Sequence, residues 1–196
     1  MVYNPKDYYF KRAKLEEYAA RSVYKLQEIQ NRFQVIRCGD AVLDLGASPG
    51  SWSQFAAQIV GKNGQIIGID LFPVSVQLSN ATFLIGDIQE VNTYQRIIDA
   101  GLRLPVEVIL SDMAPKTTGV KVTDQSRSFE LCMVALERAK DWLKPGGNFV
   151  AKLFDSSDAM TFRDELRKIF QKVEILRPKS TRKESMEVFF IGLKKY

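Results

Sequence analysis

The sequence predicts an α/β fold in which an open, mostly parallel sheet of seven strands carries helices on both faces. Short apolar runs alternate with helical segments along the chain, and this alternation is typical of parallel βαβ units. The last two apolar runs are joined by residues 177–186, which show no helical pattern. Because that connection is too short for a parallel crossover, the last strand should run antiparallel to its neighbour. No repeat or linker interrupts the 196 residues, so we expect a single domain over 1–196.

The individual elements follow from the spacing of apolar residues. Residues 12–34 are predicted as a helix because Val23, Leu26, Ile29 and Phe33 recur at intervals of three and four. A helix over 125–143 is expected to end at the stop signal Lys144-Pro-Gly-Gly. In chain order, the remaining predictions are strand 41–45, helix 52–60, strands 65–70 and 81–85, helix 92–101, strand 106–111, strand 148–154, helix 158–171, and strands 173–176 and 187–193.

Composition restricts the class of protein. The chain is 45% hydrophobic and 26% charged, as in ordinary globular domains, and no apolar run could cross a bilayer. The N-terminus lacks the apolar core of a signal peptide, so we expect a cytoplasmic protein that does not enter membranes. The two cysteines, Cys38 and Cys132, form no CxxC pair and the chain has no histidine, so no metal site is expected. No exposed apolar helix face stands out, which favours a monomer.

Positive charge is concentrated at the two ends of the chain. Residues 1–25 carry six basic and three acidic side chains, a sum of +3, and residues 177–183 add +4. Because the whole chain carries +5, the remaining residues sum to −2. If the two ends meet in the fold, they form one basic surface of the kind that binds a polyanion; two unrelated solvated surfaces are the alternative. Aromatic residues are interleaved with the basic residues of segment 1–34 (Tyr3, Tyr8, Tyr9, Phe10, Tyr18 and Tyr24), and such a mixture can stack bases and neutralise phosphates.

A glycine-containing loop predicts a cofactor site at the carboxyl ends of the strands. Residues 44–53 follow the first strand and open a helix, and the glycines allow a sharp turn close to a ligand. Asp70, at the end of the second strand, can accept hydrogen bonds from two ribose hydroxyls, and Asp87 is placed to meet an adenine amino group. The spacing is Gly46-x-x-x-Gly50 rather than Gly-x-Gly-x-x-Gly. This spacing favours S-adenosylmethionine (SAM), which has no pyrophosphate, over a nicotinamide dinucleotide, which stays the alternative.

Four charged residues are candidates for the chemistry. Asp112 follows the fourth strand in Ser-Asp-Met-Ala-Pro, and Lys152 lies on the neighbouring fifth strand. Glu187 begins the last strand, and Lys25 approaches from the N-terminal helix. A free lysine, with a pKa of about 10.4, is a poor base at neutral pH, so neighbouring groups have to adjust its proton affinity. In a chain without histidine, we expect these amines and carboxylates to handle the proton of the reaction.

The motifs together resemble the FtsJ-like family of ribose 2′-O-methyltransferases, within the class I, Rossmann-like SAM-dependent methyltransferases. The resemblance covers essentially the whole chain and rests on Arg-Ser-Val-Tyr-Lys25, Asp-Leu-Gly-Ala-Ser-Pro-Gly-Ser-Trp52, Ser-Asp-Met-Ala-Pro115 and Ser-Met-Glu-Val188. It implies a catalytic tetrad of Lys25, Asp112, Lys152 and Glu187, and a SAM site that includes Gly50, Trp52, Asp70, Asp87 and Asp112. One departure is Ser51, where the family commonly has glycine; serine fits if its φ is negative.

The resemblance also implies a substrate. The short chain is most similar to enzymes that methylate a uridine of large-subunit (23S-type) ribosomal RNA, possibly within the ribosomal subunit. A tRNA or an mRNA cap is the alternative target for the same chemistry. A non-enzymatic RNA-binding or ribosome assembly factor is the alternative of another class, although the intact tetrad disfavours it.

Overall fold

A computed structural model describes residues 8–90 and 92–196 of the chain. Its helices are α1 (Tyr8–Leu15), α2 (Val23–Phe33), α3 (Ser51–Val60), α4 (Thr93–Asp99), α5 (Lys121–Trp142) and α6 (Asp158–Arg167). Its strands are β1 (Ala41–Leu45), β2 (Gln65–Asp70), β3 (Ala81–Ile85), β4 (Val106–Ser111), β5 (Leu143–Phe154), β6 (Phe170–Leu176) and β7 (Glu187–Lys195).

Within the described residues, the strands form one sheet in the order β3-β2-β1-β4-β5-β7-β6. The pairs among β1 to β5 are parallel, and β7 is antiparallel to both β5 and β6. The predicted mostly parallel sheet with an antiparallel last strand is therefore confirmed. All five residues of β1 are buried, as expected of a strand covered by helices on both faces.

Two apolar cores cover the two faces of the sheet. One core packs α4, α5 and α6 against the sheet and contains Ile97, Leu136 and Phe162. The other packs α2 and α3 against the opposite face and contains Leu26 and Trp52. The two helical layers leave the carboxyl ends of the parallel strands uncovered, and this edge of the sheet is where a ligand can bind.

The predicted single helix over 12–34 is wrong, because the chain breaks between α1 and α2. Glu17 takes a positive φ of 59°, which turns the chain out of the helix. The side chain of Gln54 holds this turn from α3: it accepts a hydrogen bond from the Ala19 amide at 2.8 Å and donates one to the Glu17 carbonyl at 3.1 Å. The break is therefore imposed by a tertiary contact, without a glycine or proline in the turn.

Other boundaries differ from the prediction near the ends of elements. Helix α5 begins four residues earlier than predicted, α6 ends at Arg167, and β5 starts at Leu143, so it includes the Pro-Gly-Gly segment. Strand β7 continues to Lys195, whose ammonium group donates to the Ala139 and Leu143 carbonyls at 3.0 and 2.8 Å. This lysine satisfies carbonyl groups at the end of α5, as basic residues often do at helix C-termini.

Gly192 of β7 provides a test of the packing between the sheet and the α6 side. A Cβ atom at this position would lie 2.6 Å from Cδ2 of Phe170, a buried ring stacked on Phe149. We expect Gly192→Ala to lower the free energy of unfolding by about 1–3 kcal/mol, because the ring has to move in a closely packed core. Urea denaturation measures this loss.

The control is the pair Phe170→Leu and Phe170→Leu/Gly192→Ala. Leucine removes the atoms that the new methyl group meets, so the double variant should lose less stability than the sum of the two single losses. Strict additivity would show that the contact with the Phe170 ring does not explain the requirement for glycine.

Candidate active site

A cavity of about 300 Å³ opens at the carboxyl ends of β1, β2, β3 and β4. We call it the first cavity. It is lined by residues that follow each of these strands: Gly46 and Ser48, Asp70 to Phe72, Gly86 to Gln89, and Asp112 to Ala114. Leu131 of α5 contributes from one face of the sheet. Three of the predicted cofactor residues, Asp70, Asp87 and Asp112, thus share one cavity.

Two carboxylates of the first cavity, those of Asp70 and Asp87, are fixed by backbone hydrogen bonds. Asp70 accepts one from the Ser48 amide on Oδ2 and one from the Phe72 amide on Oδ1, both at 2.9 Å. Asp87 Oδ1 accepts from the Gln89 amide at 2.9 Å. Each carboxylate oxygen retains a lone pair for a ligand. Carboxylate oxygens that carry negative charge and are held in fixed orientations suit a ligand with hydroxyl groups, an amine and a sulfonium. The residues therefore fit SAM.

Gly50 and Trp52, also predicted for the cofactor, do not line this cavity. A Cβ at Gly50, whose φ is 119°, would lie 2.4 Å from Cγ2 of Val76, so glycine is required by the packing of the neighbouring loop. The Trp52 side chain is buried, stacks near Phe189, and donates its indole N–H to the Ser22 carbonyl at 3.0 Å. Neither residue lines the first cavity, so their roles in cofactor binding stay predictions.

Ser51 also faces α2 rather than the first cavity. It is the first residue of α3, and its hydroxyl lies 2.9 Å from that of Ser22. The serine that departs from the family pattern therefore sits in helical backbone and adds a contact between two helices.

Lys152 and Asp112 form a close pair at the junction of β4 and β5. Lys152 Nζ donates to the Asp112 backbone carbonyl at 2.7 Å and lies 3.0 Å from the carboxylate oxygen Oδ1. The lysine is only 6% exposed, so its ammonium group depends on the carbonyl as hydrogen-bond acceptor and on the carboxylate as counter-charge. On the other face of β5, Cys132 Sγ donates to the Lys152 carbonyl at 2.9 Å and fixes the strand.

Lys25 and Glu187 form a second ion pair beside the first. Helix α2 carries Lys25 to the start of β7, where its ammonium group donates to Glu187 Oε2 and lies 5.7 Å from the centre of the Phe189 ring. Burial raises the pKa of Glu187, but the positive charges of Lys25 and Lys152 outweigh it and hold that pKa below its ordinary value. The structure thus brings all four predicted catalytic residues together; their chemical roles stay predictions.

A second cavity, also of about 300 Å³, lies on the α2 side of these pairs. Its lining residues are Arg21, Ser22, Lys25, Ser180, Arg182, Ser185 and Glu187. Asp112 faces the first cavity, whereas Lys25 and Glu187 face the second. The buried Lys152 pairs with Asp112 and influences Glu187 electrostatically, so it stands between the two cavities. Lys152 itself lines neither cavity, so it is linked to each cavity through one of these two carboxylates.

The two basic segments of the chain meet at the second cavity. Arg21 donates a hydrogen bond to the Ser180 carbonyl, and the Lys179 amide donates to Glu28 Oε2 at 2.7 Å. Tyr24 is buried against Tyr9 and Tyr18, whereas Tyr8 is 70% exposed. Tyr3 and Lys6, which belong to the same predicted N-terminal surface, lie outside the described residues.

Asp44 is a buried carboxyl group that the sequence analysis did not select. It lies in β1 with no exposure, and its Oδ2 accepts a hydrogen bond from Ser53 Oγ at 2.6 Å. Within the described residues its Oδ1 has no hydrogen-bond partner. Burial, together with the negative charges of Asp112 and Asp70, raises the pKa of Asp44 to about 7. An aspartate inside an apolar strand was the sequence signal that could have identified it.

Comparison with known proteins agrees with this geometry. The family model of FtsJ-like methyltransferases matches residues 18–195. The chain belongs to the FtsJ-like methyltransferase family. Ribosomal RNA large subunit methyltransferase E of Bdellovibrio bacteriovorus is 51% identical over 195 residues, with 100% of both chains covered. The protein of the same name from Lawsonia intracellularis is 48% identical, covering 96% of this chain and 94% of its own.

Solved structures agree on the fold. A protein from Plasmodium falciparum assigned as a ribosomal RNA methyltransferase superposes with a TM-score of 0.80 at 27% identity, covering 91% of this chain and 98% of its own. Aeropyrum pernix fibrillarin, crystallised with natively bound S-adenosyl-L-methionine, gives a TM-score of 0.66 at 15% identity, covering 88% and 76%. The predicted methyltransferase fold is confirmed. Among the described residues, no helix is long and apolar enough to span a membrane.

Replacing Asp44 by asparagine tests the electrostatics of β1. The ordinary pKa of this carboxyl group is 3.8, and in the folded protein it is about 7. Between pH 4 and 7, the folded protein holds a proton that the unfolded chain releases, so the stability of the unmodified protein falls as pH rises through this window. Asp44→Asn has no such proton. We expect the unmodified protein to lose about 2–4 kcal/mol more than the variant between pH 4 and 7.

Urea denaturation at intervals of one pH unit, without cofactor, measures the difference between the two proteins. The gap should be constant below about pH 3 and above about pH 8, about one unit beyond the two pKa values. Parallel pH profiles across the whole range would show that Asp44 is ionised in the folded protein and that its burial has no electrostatic cost.

Proposed function

We propose that this protein transfers a methyl group from SAM to a ribose 2′-hydroxyl of RNA, namely of a uridine in large-subunit ribosomal RNA. The observation that carries the proposal is the position of Lys152, between a cavity lined by carboxylates and a cavity lined by basic side chains. Family membership supports methyl transfer, and the names of the relatives support ribosomal RNA of the large subunit as the substrate.

The first cavity is proposed to hold SAM. Asp70 would accept the ribose hydroxyls of the cofactor, and Asp87 would accept the adenine amino group. Asp112, between this cavity and Lys152, would lie beside the positively charged sulfonium. When bound, SAM supplies a methyl group on an excellent leaving group, so the tasks left to the protein are orientation and removal of the hydroxyl proton.

Lys152 is proposed to act on the 2′-hydroxyl of the RNA. A neutral Nζ would accept the hydroxyl proton as the 2′-oxygen takes the methyl group and S-adenosylhomocysteine leaves; an ammonium Nζ would instead polarise the O–H bond, with the proton passing to water. In both cases Asp112 holds the amine in line with the methyl group. Lys25 and Glu187, which line the second cavity, would orient the ribose and keep Lys152 in place. The close ion pairs fix these side chains before the substrate arrives, which is how positioning contributes to rate.

RNA is proposed to approach over the second cavity. Arg21, Lys25 and Arg182 supply positive charge there, and the exposed ring of Tyr8 is available for stacking. Segment 1–34 would then be part of the RNA site within a single domain over 1–196 that acts as a monomer. Action on ribosomal RNA would place the protein in the cytoplasm.

Lys152→Ala tests the proposed proton step. We expect methyl transfer to fall by at least about 100-fold, the usual contribution of a positioned acid or base. Cofactor affinity should stay within about twofold, because Lys152 does not line the first cavity. Incorporation of radiolabelled methyl groups measures the rate, and calorimetry measures cofactor binding.

The matched control is Lys62→Ala, which removes an exposed lysine near the start of β2, at the other edge of the sheet. This variant should retain the full rate. Retention of more than about a tenth of the rate by Lys152→Ala would remove Lys152 from the role of base.

The substrate assignment is tested by offering the protein several RNAs. Large ribosomal subunits, free large-subunit ribosomal RNA and tRNA are incubated with radiolabelled SAM, and the modified nucleotide is mapped. We expect one 2′-O-methyluridine in large-subunit ribosomal RNA. Preferential labelling of tRNA, or of a base instead of a ribose, would contradict the proposal.

A further inference from the structure

A second group of basic side chains lies outside the two chain ends. Residues 113–127 carry Lys116, Lys121 and Arg127 against a single acidic residue, Asp124. All three basic residues are exposed, whereas Asp124 is buried. The local net charge of +2 does not show when the net charge is summed over the whole middle of the chain, because acidic residues elsewhere in that part offset it. We call Lys116, Lys121 and Arg127 the second basic surface.

Asp124 holds the loop that carries this surface in a fixed shape. Its Oδ1 accepts hydrogen bonds from the Thr118 amide at 2.7 Å and the Thr118 hydroxyl at 2.8 Å, and its Oδ2 accepts from the Gly119 amide at 3.2 Å. The carboxylate is only 4% exposed. Its negative charge is therefore committed to the loop, while the ammonium groups of Lys116 and Lys121 remain at the surface.

The second basic surface lies at the same edge of the sheet as the proposed reaction site. The loop begins with Met113 and Ala114, which line the first cavity directly after Asp112. In the first turn of α5, Gln125 donates to the Asp155 carbonyl, and the Asp155 amide donates to the Met186 carbonyl at 2.8 Å. Met186 precedes Glu187, which lines the second cavity. The loop is thus continuous in sequence with the lining of the first cavity, and two hydrogen bonds tie the N-terminal part of α5 to the residue before Glu187.

The two basic surfaces stand on opposite faces of the sheet. Arg21 and Lys25 belong to the α2 side, whereas α5, whose first turns carry Lys121 and Arg127, packs on the other face. The Lys152–Asp112 and Lys25–Glu187 pairs lie at the edge that these two sides share, with Lys25 and Glu187 toward the α2 side. A polyanion that crosses this edge would therefore meet positive charge before and after the reaction site.

We propose that Lys116 and Lys121 bind backbone phosphates of the RNA on the far side of the target nucleotide, so that the strand spans the carboxyl edge of the sheet. The proposal rests on the proposed function and extends its RNA footprint from the chain ends to the β4–α5 loop. Val120 and Val122, which flank Lys121 and are 58% and 75% exposed, offer apolar contacts to sugars beside that lysine. Asp124 acts as a positioning residue, because it fixes the loop without touching RNA.

The test is a titration of fluorescently labelled large-subunit ribosomal RNA fragments with Lys116→Ala/Lys121→Ala over a series of salt concentrations. Loss of two phosphate contacts should reduce the slope of log affinity against log salt by about 1.5 and weaken binding on the order of tenfold at moderate salt. Cofactor affinity should be unchanged, and KM for RNA should rise while kcat stays within about twofold.

The matched control is Lys62→Ala/Lys168→Ala, which removes the same charge from the amino edge of the sheet, before β2 and β6. Its salt slope and KM should equal those of the unmodified protein. If the two double variants give equal salt slopes, the proposal is overturned. Slopes that are both unchanged would mean that Lys116 and Lys121 do not contact phosphates, and slopes that are both reduced would mean that only the net charge matters. RNA binding is measured in the absence of methyl transfer. A protein that binds RNA but methylates none would therefore contradict the proposed function, while the contribution of Lys116 and Lys121 to RNA binding could still be measured.

Discussion

The antiparallel insertion of β7 between β5 and β6 is the constraint on which the site depends. In this pairing Lys152 lies opposite Phe189, and Phe154 lies opposite Glu187. The start of the last strand is thereby brought to the edge at which the parallel strands end. A shift of one residue would turn Glu187 to the other face of the sheet and separate it from Lys25. The register of one strand pair thus decides whether the four charges can share a site.

Charge balance explains how such a site can be largely buried. Lys152 and Lys25 are each paired with a carboxylate, so neither of these two ammonium groups is enclosed without a counter-charge. The first cavity differs, because Asp70, Asp87 and Asp112 gather there and Asp44 lies beneath them without a cationic partner among the described residues. One side of Lys152 is therefore suited to a cationic cofactor and the other side to a polyanion.

The strands of the sheet were predictable because they are short apolar runs; 41–45, 65–70, 81–85 and 106–111 match the structure at both ends. The break after α1 was not predictable from the sequence, because Gln54 imposes it from another helix. The four candidate catalytic residues were selected from their places on the predicted strands and helix and from the family motifs. The motif gave no indication that the Trp52 side chain is buried against Phe189, or that Asp124 shapes the loop after Asp112, because both depend on side-chain contacts between distant segments.

The most direct test of this account is a crystal structure with S-adenosylhomocysteine and a short uridine-containing strand of ribosomal RNA. The account predicts the cofactor product in the first cavity, the target ribose in the second, and its 2′-oxygen within about 3.5 Å of Lys152 Nζ. A ribose bound elsewhere, with its 2′-oxygen beyond the reach of one bridging water from Lys152, would contradict it.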